Sequence, residues 1–121
     1  MQERRLRQRY AVSFPVRVEW IENGQRFTEE GLTENVGLKG VLVYLPQKLP
    51  EVGSEVDLIV TEHSKQPIHV KACVLRLERN VSHPKCALML NEVTKDWEEK
   101  VWLYASQIVA EQSEDSVEND E

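Results

Sequence analysis

The sequence predicts a mainly β protein, a small six-stranded antiparallel β-barrel with a C-terminal α-helix, and three observations carry that prediction. Residues 11–20 place Val12, Phe14, Val16, Val18 and Trp20 at alternate positions, the period of a half-buried strand. Short apolar runs recur at 41–45, 56–60, 68–77 and 86–90 between glycine, proline and asparagine signals, as expected of strands joined by turns. From Thr94 the period lengthens, with Trp97, Val101, Tyr104, Ala105 and Ile108 at helical spacing. Short strands followed by one helix favour a small barrel with the helix packed on it.

The elements follow in order. Pro15 interrupts the first strand and cannot donate a ladder hydrogen bond, so it marks an edge or a bulge. Asn23-Gly24 suits a hairpin turn because both residues tolerate positive φ. Residues 26–36 form a weaker strand candidate, and residues 35–40, with Gly37 and Gly40, break its pattern before the buried run at 41–45. Pro46 and Pro50 bracket a loop. In the run at 68–77, Ile68, Val70, Ala72 and Val74 alternate before Leu75 and Leu77 take the other parity, which predicts a bulge near Val74. Thr94 is placed to cap the helix and Asp96 to meet its positive end. Trp102 lies off the apolar stripe and marks a candidate partner surface.

Charge divides the chain into three parts. Residues 1–10 form a basic arm, expected to be mobile, with Arg4, Arg5, Arg7 and Arg9 against Glu3. Residues 11–110 hold the barrel and helix. Residues 111–121 hold Glu111, Glu114, Asp115, Glu118, Asp120 and Glu121 without a basic residue, so this tail accounts for the whole net charge of −6. Its poverty in apolar residues predicts disorder.

Several function classes fit poorly. No stretch approaches the roughly 20 apolar residues of a membrane span. Two cysteines without a targeting segment read as reduced thiols, which points to the cytoplasm. Nucleic acid is not expected as a partner, because the chain beyond the arm is neutral or acidic and lacks an aromatic-basic stacking surface. His69, Cys73, His83 and Cys86 offer zinc-ligand types, but no pair has the tight C-x-x-C spacing and no metal is expected. Both cysteines lie in apolar strands, where thiols are usually inert, so an enzyme is not expected either.

Two segments are poorly explained by folding alone: the arginine-rich run at 3–9, and residues 35–40 with Asn35, Gly37 and Gly40. Guanidinium groups fork onto guanine O6 and N7, pair with phosphate oxygens and stack on purine faces. An asparagine beside glycines offers a base-reading amide and a backbone open to close approach. Together the segments suit an anionic, guanine-containing ligand.

These residues resemble the PilZ domains, which bind the bacterial messenger cyclic di-GMP. That family carries R-x-x-x-R before its first barrel strand and D/N-x-S-x-x-G at the turn into a later one. Arg5 and Arg9 match the first motif, and Asn35 and Gly40 the ends of the second. The resemblance covers residues 3 to about 110. It implies that Arg5 and Arg9 hold guanine and phosphate groups, that Asn35 meets a guanine edge, and that Gly40 permits close backbone approach. It implies also an arm that orders on the ligand and a receptor without cofactor that signals through an effector protein still to be identified.

Gly37 stands where the family has serine. A lost hydroxyl contact is worth about 1 kcal/mol, or about five-fold in affinity. It leaves open a second reading, a degenerate PilZ-like adapter that binds protein and no nucleotide. A positive φ at Gly37 is the other physical reason for glycine there. The six tail carboxylates are placed by charge to compete with ligand phosphates for the arm. Deleting residues 111–121 is therefore expected to tighten cyclic di-GMP binding at low salt, and to change it little at high salt where exposed charges are screened. Titration calorimetry at two ionic strengths checks this, and equal low-salt affinities for both proteins would leave the tail a solvated end.

Overall fold

A computed structural model describes residues 8–62 and 66–119, the stretch 113–119 as backbone alone. The strands are β1 (Arg9–Tyr10), β2 (Pro15–Glu22), β3 (Gln25–Gly37), β4 (Gly40–Tyr44), β5 (Glu55–Val60), β6 (Ile68–Glu78) and β7 (Lys85–Leu90). All pairings are antiparallel, in the order β1-β3-β2-β5-β6-β7-β4. The additional β3–β4 pairing closes β2 to β7 into a six-stranded barrel, with β1 lying outside it. Val18, Val36, Val43, Leu45, Leu58, Val60, Val74 and Leu88 fill the interior. The barrel predicted from alternation is the barrel observed.

Strand β3 is longer than its sequence suggests. Along one edge it pairs with β2 through Leu32 and then with β1 at Val36 and Gly37. Its other edge pairs with β4 from Leu32 to Val36, with an irregularity between Thr33 and Asn35. Glu29, Glu30 and Gly31 obscure its alternation, because half of β3 faces solvent. Asn23 and Gly24 both take positive φ in the β2–β3 turn, as the hairpin signal requires.

The alternating run at 11–20 is a strand only from Pro15 onward, and residues 11–14 before it belong to no strand. Pro15 opens β2, and residues 11–14 step across from β1 while still burying Val12 and Phe14. Thr33 satisfies the backbone at that step. Its hydroxyl accepts from the Phe14 N–H at 2.8 Å and donates to the Val12 carbonyl, while its own N–H donates to the Phe14 carbonyl at 2.9 Å. The bulge expected in β6 lies between Val74 and Arg76.

Past β7 the chain forms a π-helical segment, Trp97–Trp102, that runs into α1 (Leu103–Asn119). Thr94 caps the start, its hydroxyl accepting from the Trp97 N–H at 3.1 Å. Trp97, Val101 and Ala105 are fully buried, and Tyr104 stacks on Phe14 with ring centroids 5.7 Å apart. Trp102 corrects the expected partner surface: it is buried against the arm, with its ring 6.1 Å from that of Tyr10. The i→i+5 turn carries it onto the face of Trp97, whereas in an α-helix residues five apart diverge by about 140°. Helix α1 continues to Asn119, within the stretch expected to be a disordered tail. The stretch at 111–119 contains neither glycine nor proline to stop a helix already nucleated. No helix among the described residues is long and apolar enough to cross a membrane.

Thr33 is the only buried polar side chain among the described residues with no exposure at all. Thr33→Val keeps its shape but strands the Phe14 N–H and the Val12 carbonyl. Each stranded group costs on the order of 1–3 kcal/mol, so a total loss of about 2–6 kcal/mol is expected. Urea denaturation measures it, and an unchanged midpoint would mean that these groups find other partners.

Candidate functional site

The β1–β3 register brings the two motif segments together. Arg9 pairs with Gly37 and Tyr10 with Val36, so the arm's last residues lie beside the β3–β4 turn. Arg9 Nε donates to Asn35 Oδ1 at 2.7 Å. Both residues line a cleft of about 690 Å³ together with Gly37, Gly40, Lys39 and Arg76. Arg5 lies outside the described residues, as does the rest of the arm before Gln8.

Gly37 and Gly40 lack side chains for different reasons. A Cβ on Gly40 would stand 2.7 Å from the Leu88 carbonyl oxygen, so glycine there lets β4 approach β7, where Gly40 pairs with Met89. Gly37 does not take a positive φ, which removes backbone conformation as its explanation. A Cβ there would stand 2.8 Å from Arg9 Nη1 and 3.4 Å from Arg9 Cγ. The Arg9 side chain occupies the space that a residue with a side chain would fill.

The cleft is cationic. Arg9, Lys39 and Arg76 line it, and among the described residues no carboxylate does. Burial first, and the Arg76 charge second, lower the Arg9 guanidinium's pKa from its ordinary value. Arg76 Nη2 donates to Glu78 Oε2 at 3.2 Å, outside the lining. The apolar wall comes from β6 and β7, with Leu75 and Met89 each about half exposed. Leu75 faces out in the same alternation that buries Ile68, Val70, Ala72 and Val74, and the bulge leaves it without a cross-strand partner and keeps Arg76 facing out beside it. Such a surface can hold an anion with planar apolar faces.

Sequence reasoning selected Arg9, Asn35, Gly37 and Gly40, and the fold collects all four. It missed Lys39, Arg76, Leu75 and Met89. The alternation from Ile68 to Val74 was the usable signal for Leu75, since it sets that residue facing out. Nothing local marked Arg76, which reaches the cleft only because β6 pairs with β7 and β7 with β4.

The zinc-ligand types are otherwise engaged. His69 Nε2 bonds Asp57 at 2.9 Å, while His83 bonds Glu34 at 3.1 Å and stacks on Tyr44. Cys86 is buried in the core, and burial pushes its thiol up to about 12. Among the described residues no group of His, Cys, Asp and Glu is arranged to hold a metal.

Comparison with known proteins agrees with this architecture. No curated protein sequence matches the chain. Among solved structures, the PilZ domain of Escherichia coli YcgR with c-di-GMP superposes with a TM-score of 0.70 at 12% identity, covering 90% of this chain and 94% of that one. The Bacillus subtilis inhibitor of motility, MotI/DgrA, gives 0.65 at 18% identity and covers 85% of this chain. This chain spans about half of that protein, 50% of its length. The PilZ domain of CeSA from a cellulose-synthesizing bacterium gives 0.59 at 17% identity, covering 84% of this chain and 97% of that one. At these identities the likeness is one of fold. The sequence itself matches the PilZ domain over residues 3–105, from the arginine arm through the barrel to the start of α1, and the chain belongs to the PilZ family.

Proposed function

We propose that this protein is a cyclic di-GMP receptor whose ligand occupies the cleft between the arm and the β3–β4 turn. The observation that carries this reading is the convergence of Arg9, Lys39 and Arg76 in a cleft that no carboxylate lines among the described residues, where Arg9 of the first motif lies beside Asn35 of the second. Phosphate oxygens supply the opposite charge that the lining lacks, beyond what Glu78 gives Arg76 from outside it, and guanidinium groups fork onto them or onto guanine. Asn35 reads a guanine edge, and Leu75 and Met89 cover an apolar face of the ligand. Arg5, four residues before Arg9, closes from the arm as the ligand orders it. The ordered arm then offers an effector protein a changed surface, with no bond made or broken.

A second reading, a PilZ-like adapter without nucleotide, draws on one observation. Arg9 and Asn35 already bond each other, with Arg9 lying against Gly37. Titration calorimetry with cyclic di-GMP, using GTP and cyclic di-AMP as controls, decides between them. Micromolar or tighter binding selective for cyclic di-GMP is expected, and no heat with any nucleotide selects the adapter.

Arg5→Ala and Arg9→Ala are each expected to weaken cyclic di-GMP binding at least ten-fold, because charge-assisted contacts are worth about 1.5–3 kcal/mol. Arg76→Ala is expected to weaken it about five-fold or more on the same ground. Melting temperatures should barely change, since exposed substitutions usually stay within about 0.5 kcal/mol. Wild-type affinity in Arg9→Ala would exclude the arm as the ligand clamp.

Gly37→Ser is expected to tighten binding by up to about five-fold, the worth of one neutral hydrogen bond. It adds a hydroxyl at the cleft without positive-φ strain, and its Cβ presses on the flexible end of Arg9 and less closely, at 3.3 Å, on the Gly40 carbonyl oxygen. Melting temperature and calorimetry on the same variant check this. Weaker binding at unchanged stability would mean that Arg9 holds ligand from its place against Gly37.

A further inference from the structure

The helical segment reaches both walls of the cleft without lining it. Trp97 Nε1 donates to the Gly37 carbonyl at 3.1 Å, and Trp102 Nε1 donates to the Gln8 carbonyl at 3.1 Å. Gly37 ends β3, and Gln8 directly precedes Arg9, which is paired with Gly37. The Trp102 ring also lies against Tyr10, on the other side of Arg9. Arg9 is therefore held between two residues that Trp102 contacts. The tryptophans share a face because the chain between them is π-helical, a departure that tends to occur at functional sites.

Chain termini are poorly ordered unless tied down, and two antiparallel pairs are a short ladder for β1. The Trp102 bond to Gln8 adds a tie just before Arg9, and the ring packing on Tyr10 adds one just after it. Both belong to the segment that continues as α1, so the arm's position and the helix's position are one geometric variable. Trp102 is 4% exposed and absent from the cleft lining, so any effect it has on the cleft passes through the arm.

We propose that Trp102 is a positioning residue for the arginine arm, and that it links occupancy of the cleft to the placement of α1. The ligand-dependent part rests on the cyclic di-GMP reading above. Trp102 fixes Gln8 and Tyr10 so that Arg9 enters the cleft from a set direction, and a ligand that pulls on Arg9 pulls on the indole through two neighbours. Helix α1 is then the element through which an effector protein senses the ligand.

The test uses the full chain and Trp102→Phe, which keeps an aromatic ring against Tyr10 and removes only the N–H and the larger ring. Amide hydrogen exchange of residues 8–11 is measured without ligand, and cyclic di-GMP affinity by calorimetry. Val70→Ala, a core change in β6 away from the cleft lining, serves as the control for lost stability. Trp102→Phe is expected to speed arm exchange several-fold and to weaken binding about five-fold, the worth of one neutral hydrogen bond. In an Arg9→Ala background it should weaken binding no further, because its effect runs through Arg9. Val70→Ala should lower the melting temperature and leave both readouts unchanged. Wild-type arm exchange in Trp102→Phe, an undiminished affinity loss in the Arg9→Ala background, or equal loosening of the arm by Val70→Ala would each overturn the proposal. If the wild-type protein binds no cyclic di-GMP, the receptor reading fails on its own. Arm exchange then decides the positioning role: faster in Trp102→Phe upholds it and unchanged overturns it.

Discussion

Strand β3 uses both of its edges, and the barrel closes only because it does. One edge is shared in succession by β2 and β1, and the other is taken by β4. A strand with two partners on one edge needs a break between them, and the break at residues 11–14 exposes backbone groups to the core side. Thr33 satisfies those groups from within β3 itself. The strand that closes the barrel thus also carries the side chain that lets β1 join it. The arm is attached to the fold at this point, beside the turn that carries Asn35 and Gly37.

The cleft follows from that attachment. Residues on β1, on β3 and the β3–β4 turn, on β4 and on the β6–β7 pair meet there, far apart in the chain but joined by the pairs Arg9–Gly37, Gly40–Met89 and Arg76–Ala87. Gly40 allows β4 to lie close to the Leu88 backbone, and the β6 bulge sets Arg76 beside Leu75 on the same outer surface. Cations gather on a face that no carboxylate lines among the described residues, so its local charge is that of Arg9, Lys39 and the Glu78-bonded Arg76 even though the protein carries a net charge of −6. The acidic excess lies in residues 111–121, at the far end of the chain. Net charge is thus a poor guide to what this cleft attracts.

What was legible in the sequence was what depends on local period. Alternation at Val12 to Trp20, the Asn23-Gly24 turn, the parity change after Val74 and the Thr94 cap each state a local geometry, and each is observed. The same reasoning ran 11–20 together as one strand, because side chains keep alternating across Pro15, although residues 11–14 only bridge β1 and β2 along the same edge of β3. It underrated β3, whose solvent-facing half has no apolar pattern to read. It left Trp102 outside the core because helical spacing assumes 3.6 residues per turn, and a π-helical segment does not announce itself by composition. The arm motif and the turn motif were visible as residues. Their meeting with Arg76 was not, since it depends on which strands are neighbours.

The contact between Arg9 and Asn35 bears on whether the cleft is satisfied by itself or prepared for a ligand. Arginine has five N–H donors, and this bond engages Nε alone. The two terminal nitrogens keep their donors, and the Asn35 amide keeps its NH2 group and a lone pair on Oδ1. The bond orients the guanidinium without exhausting it, much as a bound arginine fork is fixed along one edge and free along the other. The electrostatics lean the same way. Arg9 is partly desolvated beside Arg76, an arrangement in which each cation raises the cost of the other. An amide oxygen relieves little of that cost, because it carries no net charge. A phosphate relieves it for both cations at once, and in a partly buried cleft each unit of opposite charge is worth more than at the open surface. On donor count and on charge, the Arg9–Asn35 pair is therefore better understood as half of a binding site than as a finished contact, which favours a nucleotide receptor over an adapter.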